Sequence, residues 1–146
     1  MTEPGGPAWR QTIFYPFAHA SRFGRGRVLR AVVESPAYRA QTFPEIGYLC
    51  ASVVDDRETG TTTVFALNRH LTEEMELRVE LRGLGTARQI DHAVVLSHPD
   101  LQATNHRGAP DAVAPRANPH VAVDGETLRA RLPPASWNVI ATSARS

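Results

Sequence analysis

Hydrophobic and polar positions along this chain change their period once, near residue 27, and the change divides it. Ahead of that point, in QTIFYPFAHASRFGRGR, apolar side chains at Ile13, Phe14, Phe17, Ala20 and Phe23 recur at three- and four-residue spacing and predict one amphipathic helix. Pro16 falls in the first turn if the helix begins near Tyr15, where a missing N–H costs nothing, and Gly24 and Gly26 supply the stop. The ten residues before it, MTEPGGPAWR, are rich in Gly and Pro and read as a loop.

From Val28 onward, short apolar runs separated by turn residues predict an all-β unit. Residues 29–34 form the first expected strand, followed by a Pro-containing loop over 35–47. Residues 48–54 and 61–68 read as a hairpin joined by 55–60, with Thr63, Phe65 and Leu67 on one face. Over 74–82 the alternation is strict: Met75, Leu77, Val79 and Leu81 face one way and Glu74, Glu76, Arg78, Glu80 and Arg82 the other, which marks a strand with one wet face. Residues 87–98, 126–132 and 137–142 add three more strands, with a polar, Pro-rich excursion over 99–119. About seven strands with no helical pattern among them predict an antiparallel β-sandwich of jelly-roll type.

Composition adds exclusions more than chemistry. The 146 residues suit one domain with an appendage, and 42% hydrophobic with 21% charged residues is ordinary globular usage. The net charge is +1, and all 16 basic residues are arginine, a bias that follows base composition in a GC-rich genome more readily than it defines a binding surface. These arginines are scattered, so nucleic acid is not an expected partner. Cys50, the sole cysteine, excludes an internal disulfide. No amino-terminal signal pattern and no apolar run of the ~20 residues needed to span a bilayer is present, so no membrane association is expected and the cytoplasm is the expected location.

A search for chemistry ends without a complete catalytic set. His19, His70, His92, His98, His106 and His120 lack metal-ligand spacing and read as surface and loop histidines, so neither a metal nor a cofactor is expected. Cys50 lies in the apolar run YLCASVV and reads as a small core residue. The glycines of FGRGR follow a helix, where a dinucleotide loop needs a strand before it. Asp55-Asp56 and Glu73-Glu74 fall in turns or at strand edges, where solvated charge is the plain expectation.

Three segments nevertheless carry a resemblance: WRQTIFYPF at 9–17, ALNR at 66–69 and LPPASWNVI at 132–140. In this order and at these separations the chain resembles the carboxy-terminal portion of the α-L-arabinofuranosidases of glycoside hydrolase family 51. That family has a (β/α)8 barrel followed by a jelly-roll sandwich, and it uses two glutamates in a retaining mechanism. No glutamate here matches either one, so the chain alone is expected to be inactive. The resemblance implies that residues 1–26 are the last βα loop and helix of the barrel and that 27–146 are the sandwich. It also implies that the parent enzyme is a homo-oligomer acting on arabinofuranosyl oligosaccharides, with the barrel as this chain's partner.

Family members use a glutamine in WRQT to contact the sugar, and the resemblance carries that role to Gln11 and extends it to Trp9. A neutral amide suits the task because it both donates to and accepts from hydroxyls. On residue pattern alone, Gln11 instead reads as a helix-start residue bonding backbone N–H groups. Trp137 is expected in the sandwich core, and Tyr38 against a loop or the barrel. The helix should present an apolar patch that drives association, reduced by removing residues 1–25. The competing view is a free-standing carbohydrate-binding or oligomerisation module; a ligand-free structural sandwich is the third.

Overall fold

The computed structural model describes residues 4–85 and 87–145; residues 1–3 of the expected amino-terminal loop lie outside them. One helix, α1 (Phe14–Phe23), precedes eleven strands among the described residues: β1 (Arg27–Leu29), β2 (Ala37–Tyr38), β3 (Ile46–Gly47), β4 (Leu49–Asp56), β5 (Thr61–Asn68), β6 (Met75–Glu80), β7 (Arg88–Leu96), β8 (Arg116–Ala117), β9 (Val121–Asp124), β10 (Thr127–Leu132) and β11 (Ser136–Ala144). A six-stranded sheet in the order β1-β4-β5-β11-β7-β8 lies over a three-stranded sheet, β6-β10-β9, and every pairing is antiparallel. The chain is thus an antiparallel β-sandwich with one amino-terminal helix.

Apolar residues that alternate along the strands meet between the two sheets. Val53, Val64, Ala66 and Ile140 from the larger sheet pack on Leu77, Leu81, Leu128, Ala130 and Leu132 around the smaller one. On β6 the alternation behaves as expected, with Leu77 buried and Glu76, Arg78 and Glu80 turned away from the core. The hairpin of β4 and β5 also forms as expected, although Asp55 and Asp56 extend β4 and leave only 57–60 as the connection. β5 departs from simple alternation because it is covered on both faces: Thr62, Thr63, Val64, Phe65, Ala66 and Asn68 are all buried.

The strand expected over 29–34 is shorter and earlier. Gly26, at φ 120, runs so close to Asp55 that a Cβ would lie 2.5 Å from its carbonyl oxygen. That approach starts β1, which pairs with β4 for three residues before the chain leaves the sheet. β9 is not among the expected strands; Gly125, at φ 57, turns it into β10 in a hairpin. Cys50 is exposed, contrary to the core reading, because β4 turns Leu49, Ala51 and Val53 inward and the opposite face is uncovered at that end.

Two of the three signature segments meet in space. Asn68 is fully buried, and its Nδ2 lies 3.0 Å from each of the Glu73, Leu132 and Pro133 carbonyl oxygens. Its Oδ1 accepts from the N–H of His70. The ALNR segment therefore fastens the LPPASWNVI turn, in which Ala135 takes φ 45 and donates its N–H to the His70 carbonyl. These motifs are structural: they close one end of the sandwich, and a buried amide with paired donors and acceptor is what keeps that closure free of unsatisfied backbone.

Candidate functional site

The outer face of the larger sheet, away from the smaller one, carries α1. A helix of ten residues is marginal in isolation, so packing must hold it. Tyr15 is buried with Leu96 and Val113, and Phe23 packs on Val54, Phe65 and Val139. Trp137 lies here too, stacked on Phe65 at 5.7 Å, which corrects its expected place between the sheets: Val139 and Trp137 share one side of β11 while Ile140 takes the other.

The expected apolar stripe of the helix is divided between two directions. Phe23 turns to the sandwich, whereas Ile13, Phe14 and Phe17 are exposed, Phe17 to 72%. The helix is clad on one side only.

His19, on the helix, and His92, on β7 beneath it, are read from the sequence as surface histidines but lie at the junction between the two. The indole Nε1 of Trp137 donates to His19 Nδ1 at 3.2 Å, and the Phe23 ring stacks on His92 at 4.7 Å. Burial, then the charge of His92 and that of Arg22, holds His19 below its ordinary value. Burial, then Arg22, does the same to His92. Neutral imidazoles suit this junction, because Nδ1 of His19 can accept the indole proton only while unprotonated.

The loop entering the helix places Gln11 and Trp9 beside one another, both half-buried, along an open concavity of about 910 Å³ shared with Ile13, Phe14 and Asp111. Backbone bonds begin the helix: Phe14 N–H donates to the Gln11 carbonyl at 2.9 Å and Tyr15 N–H to that of Thr12 at 3.3 Å. The helix start at Ile13 has no side-chain cap. Gln11 therefore does not satisfy first-turn N–H groups, as its residue-pattern reading required. The Trp9 indole N–H and the Thr12 hydroxyl are buried without partners among the described residues.

What holds this loop comes from the far end of the sequence. Asn105, buried in the 99–119 excursion, donates from Nδ2 to the Arg10 carbonyl at 2.9 Å. Asp111 accepts from the Tyr15 hydroxyl at 3.4 Å. Neither residue stands out in the sequence, since polar side chains in a Pro-rich stretch look like solvated loop and their partners lie some ninety residues away.

The other candidates have local tasks. Asp55 accepts from the Thr62 hydroxyl, and Asp56 accepts from the N–H groups of Glu58 and Thr59 in the hairpin turn. Glu73 lies 3.7 Å from His70. Tyr38 packs against Tyr48, which meets His70, so Tyr38 lies within the loop region. Among the described residues no group of three His, Cys, Asp or Glu side chains forms a metal site, and no helix is long and apolar enough to cross a membrane.

Fold and site together define a β-sandwich domain that carries a helix and an anchored loop on its outer face. The chain belongs to the α-L-arabinofuranosidase C-terminal domain family, whose model matches residues 1–136. It is 44% identical over 140 residues to the intracellular exo-α-(1→5)-L-arabinofuranosidase of Halalkalibacterium halodurans, a match covering 96% of this chain and 27% of that protein. The corresponding enzyme of Streptomyces lividans is 43% identical over 145 residues, covering 96% and 21%. The structure of a family 51 α-L-arabinofuranosidase from Bifidobacterium longum superposes with a TM-score of 0.87 at 34% identity, over 95% of this chain and 27% of that one. The α-L-arabinofuranosidase of Thermotoga maritima shares the fold, with a TM-score of 0.78 at 16% identity. The chain thus spans less than a third of these proteins and corresponds to the carboxy-terminal part of family 51 enzymes. The family expected from the three signature segments is the family found.

Proposed function

We propose that this chain serves as the carboxy-terminal part of a retaining α-L-arabinofuranosidase that releases terminal non-reducing α-L-arabinofuranosyl groups. In this reading residues 1–26 are the last βα loop and helix of a catalytic barrel, and residues 27–146 form a jelly-roll sandwich behind it. The nucleophile and the acid/base glutamate belong to barrel segments other than these, with carboxyls ~5 Å apart so that one attacks the anomeric carbon while the other protonates the leaving oxygen. The names of the intracellular exo-α-(1→5)-L-arabinofuranosidase relatives support a cytoplasmic location.

The observation that carries the reading is the loop at Trp9–Gln11. Its backbone is fastened to the sandwich, yet the Gln11 amide caps no helix, and it borders a concavity beside a helix face whose Ile13, Phe14 and Phe17 are unclad. A barrel seated on that face would bury them, and Gln11 with Trp9 would then line the sugar pocket at the carboxyl ends of the barrel strands. The Gln11 amide would bond sugar hydroxyls in both directions.

Joining this chain to the preceding portion of the Halalkalibacterium halodurans relative, in place of its matching residues, tests the proposal. The joined enzyme should hydrolyse 4-nitrophenyl α-L-arabinofuranoside, and Gln11→Ala should lower kcat/KM about 10- to 100-fold. A Gln11→Ala enzyme equal to its parent would remove Gln11 from the site. Turnover by residues 1–146 alone, abolished by changing a carboxylate, would overturn the accessory role.

The exposed Ile13, Phe14 and Phe17 also support a second reading, a module that associates with copies of itself. Calorimetric titration with arabino-oligosaccharides adds to the discrimination: saturable heat favours a binding module, and a flat trace favours the accessory domain.

A further inference from the structure

We infer that Asn105 is a positioning residue for the loop that carries Gln11, so that the sandwich sets the geometry of the sugar pocket through one buried amide. The inference rests on the proposed role of Gln11, and it assigns to the 99–119 excursion a task that covering a barrel does not require.

Asn105 is 2% exposed, and its bonding capacity is almost wholly used. Nδ2 donates to the carbonyls of Arg10 and Val113, each at 2.9 Å, and Oδ1 accepts from the Val113 N–H at 2.7 Å. Two of these bonds fix the side chain to its own loop. The third reaches 95 residues back to the carbonyl immediately before Gln11. A side chain locked by two bonds is a rigid post for the third, which makes this tie more exact than one from a mobile surface residue.

A second tie lies on the other side of Gln11. The Tyr15 hydroxyl donates to Asp111, and the Tyr15 ring is buried with Leu96 and Val113. Val113 belongs to both ties, since its backbone holds Asn105 and its side chain packs on Tyr15. Residues 10 and 15 are thereby fixed to one segment of the sandwich, and the short stretch between them carries little freedom. Displacing a substrate-contacting group by about 1 Å can cost about a hundredfold in rate.

Neither of the two nearest side chains fits the post. An aspartate in this place would keep the acceptor for the Val113 N–H but put a carboxylate oxygen where the amide donates to two carbonyls. A glutamine would add a methylene to a buried site with no room or bond to spare for it.

The test compares Asn105→Asp, Asn105→Ala and Tyr15→Phe with the parent. Amide hydrogen exchange on residues 1–146 comes first. Asn105→Ala and Asn105→Asp should speed exchange of the Phe14 and Tyr15 N–H groups about tenfold or more, with Val64 and Ile140 unchanged; Tyr15→Phe should give a smaller change in the same direction. In the joined enzyme, assayed well below its Tm, Asn105→Ala should lower kcat more than it raises KM. Unchanged exchange at residues 14 and 15, or equal acceleration at Val64 and Ile140, overturns the inference; the mild Tyr15→Phe change keeps the test valid if the Asn105 variants do not fold. Loosened loop amides together with an inert Gln11→Ala would instead overturn the role of Gln11 and leave Asn105 as the tie of a loop without catalytic consequence.

Discussion

The two faces of the six-stranded sheet mix apolar area and polar contacts in different proportions. Between the sheets, Val53, Val64, Ala66 and Ile140 meet an equally apolar set from β6, β10 and their flanks, with buried polar ties only at the ends of that core, where Asn68 donates to the Leu132 carbonyl and Arg88 to the Thr62 and Thr142 hydroxyls. On the outer face two small apolar clusters, Val54 with Phe65 and Val139 and Tyr15 with Leu96 and Val113, lie under the helix and its entry loop, and polar contacts align what they hold: Trp137 with His19, Asn105 with Arg10, Tyr15 with Asp111. The inner face holds the domain together by area; the outer face fixes direction. Most of the stabilising area thus lies on one side of the sheet and most of the long-range positioning contacts on the other.

The sharpest way to break this comparison is to cut into the inner face. Leu128 is fully buried on β10, and Leu128→Ala should cost about 3–4 kcal/mol through lost transfer energy plus the cavity left behind. Urea unfolding would read it as a lower midpoint with an unchanged slope. A loss under about 1 kcal/mol would mean that the outer face carries the stability after all.

Trp137→Phe asks the converse question. It keeps an aromatic ring against Phe65 while removing the indole donor to His19, so the expected cost is about 1 kcal/mol, with faster amide exchange confined to α1. A cost as large as that of Leu128→Ala would erase the distinction between the faces.

The same contrast explains what is legible in the sequence. The inward positions of β6 can be read from Met75, Leu77, Val79 and Leu81 because the pleat forces a period of two and one side is wet. β5 is harder, since Thr62 and Asn68 are polar yet buried, on a strand covered from both sides. The outer face is nearly illegible. Its contacts pair His19 with Trp137 and Asn105 with Arg10 across about a hundred residues, and no local period encodes such a pairing. Gln11 is a candidate through the resemblance alone, and its supports are found only once the chain is folded. Trp137 lies on the face opposite to the expected one because alternation tells which residues lie together and not which side is the core.

Exposed Phe17 offers a third test, at lower cost to the fold. Phe17→Ser should change stability by less than about 0.5 kcal/mol, because the side chain is largely in solvent, and should reduce self-association of the isolated chain in sedimentation velocity. Removing residues 1–25 is the poorer experiment, since it would also uncover Phe65, Val139 and Trp137. Association undiminished by Phe17→Ser would place the sticky surface elsewhere.

The smallest expected effect is a pH dependence of helix docking. His19 and His92 both sit below their ordinary value of 6.5, chiefly through burial, so the folded state binds fewer protons than the unfolded chain near that pH. Their contribution is fully present above pH 6.5 and is lost as pH falls through the lower folded values; the slope of stability against pH is therefore positive in this window. The charged groups around the pair include Arg22 on the helix and Asp91 beside His92 on β7, and Arg22 opposes protonation of both rings. Asp56 and Glu80, held below the ordinary carboxylate range by Thr59 and Arg78 respectively, stay ionised there and leave the window to histidine. Thermal melts from about pH 7.5 to about 5.5 should show a modest fall in Tm. His19→Gln retains an acceptor for the Trp137 N–H without a titrating ring, so that variant should flatten the fall, and an undiminished slope would exclude the His19 junction as its source.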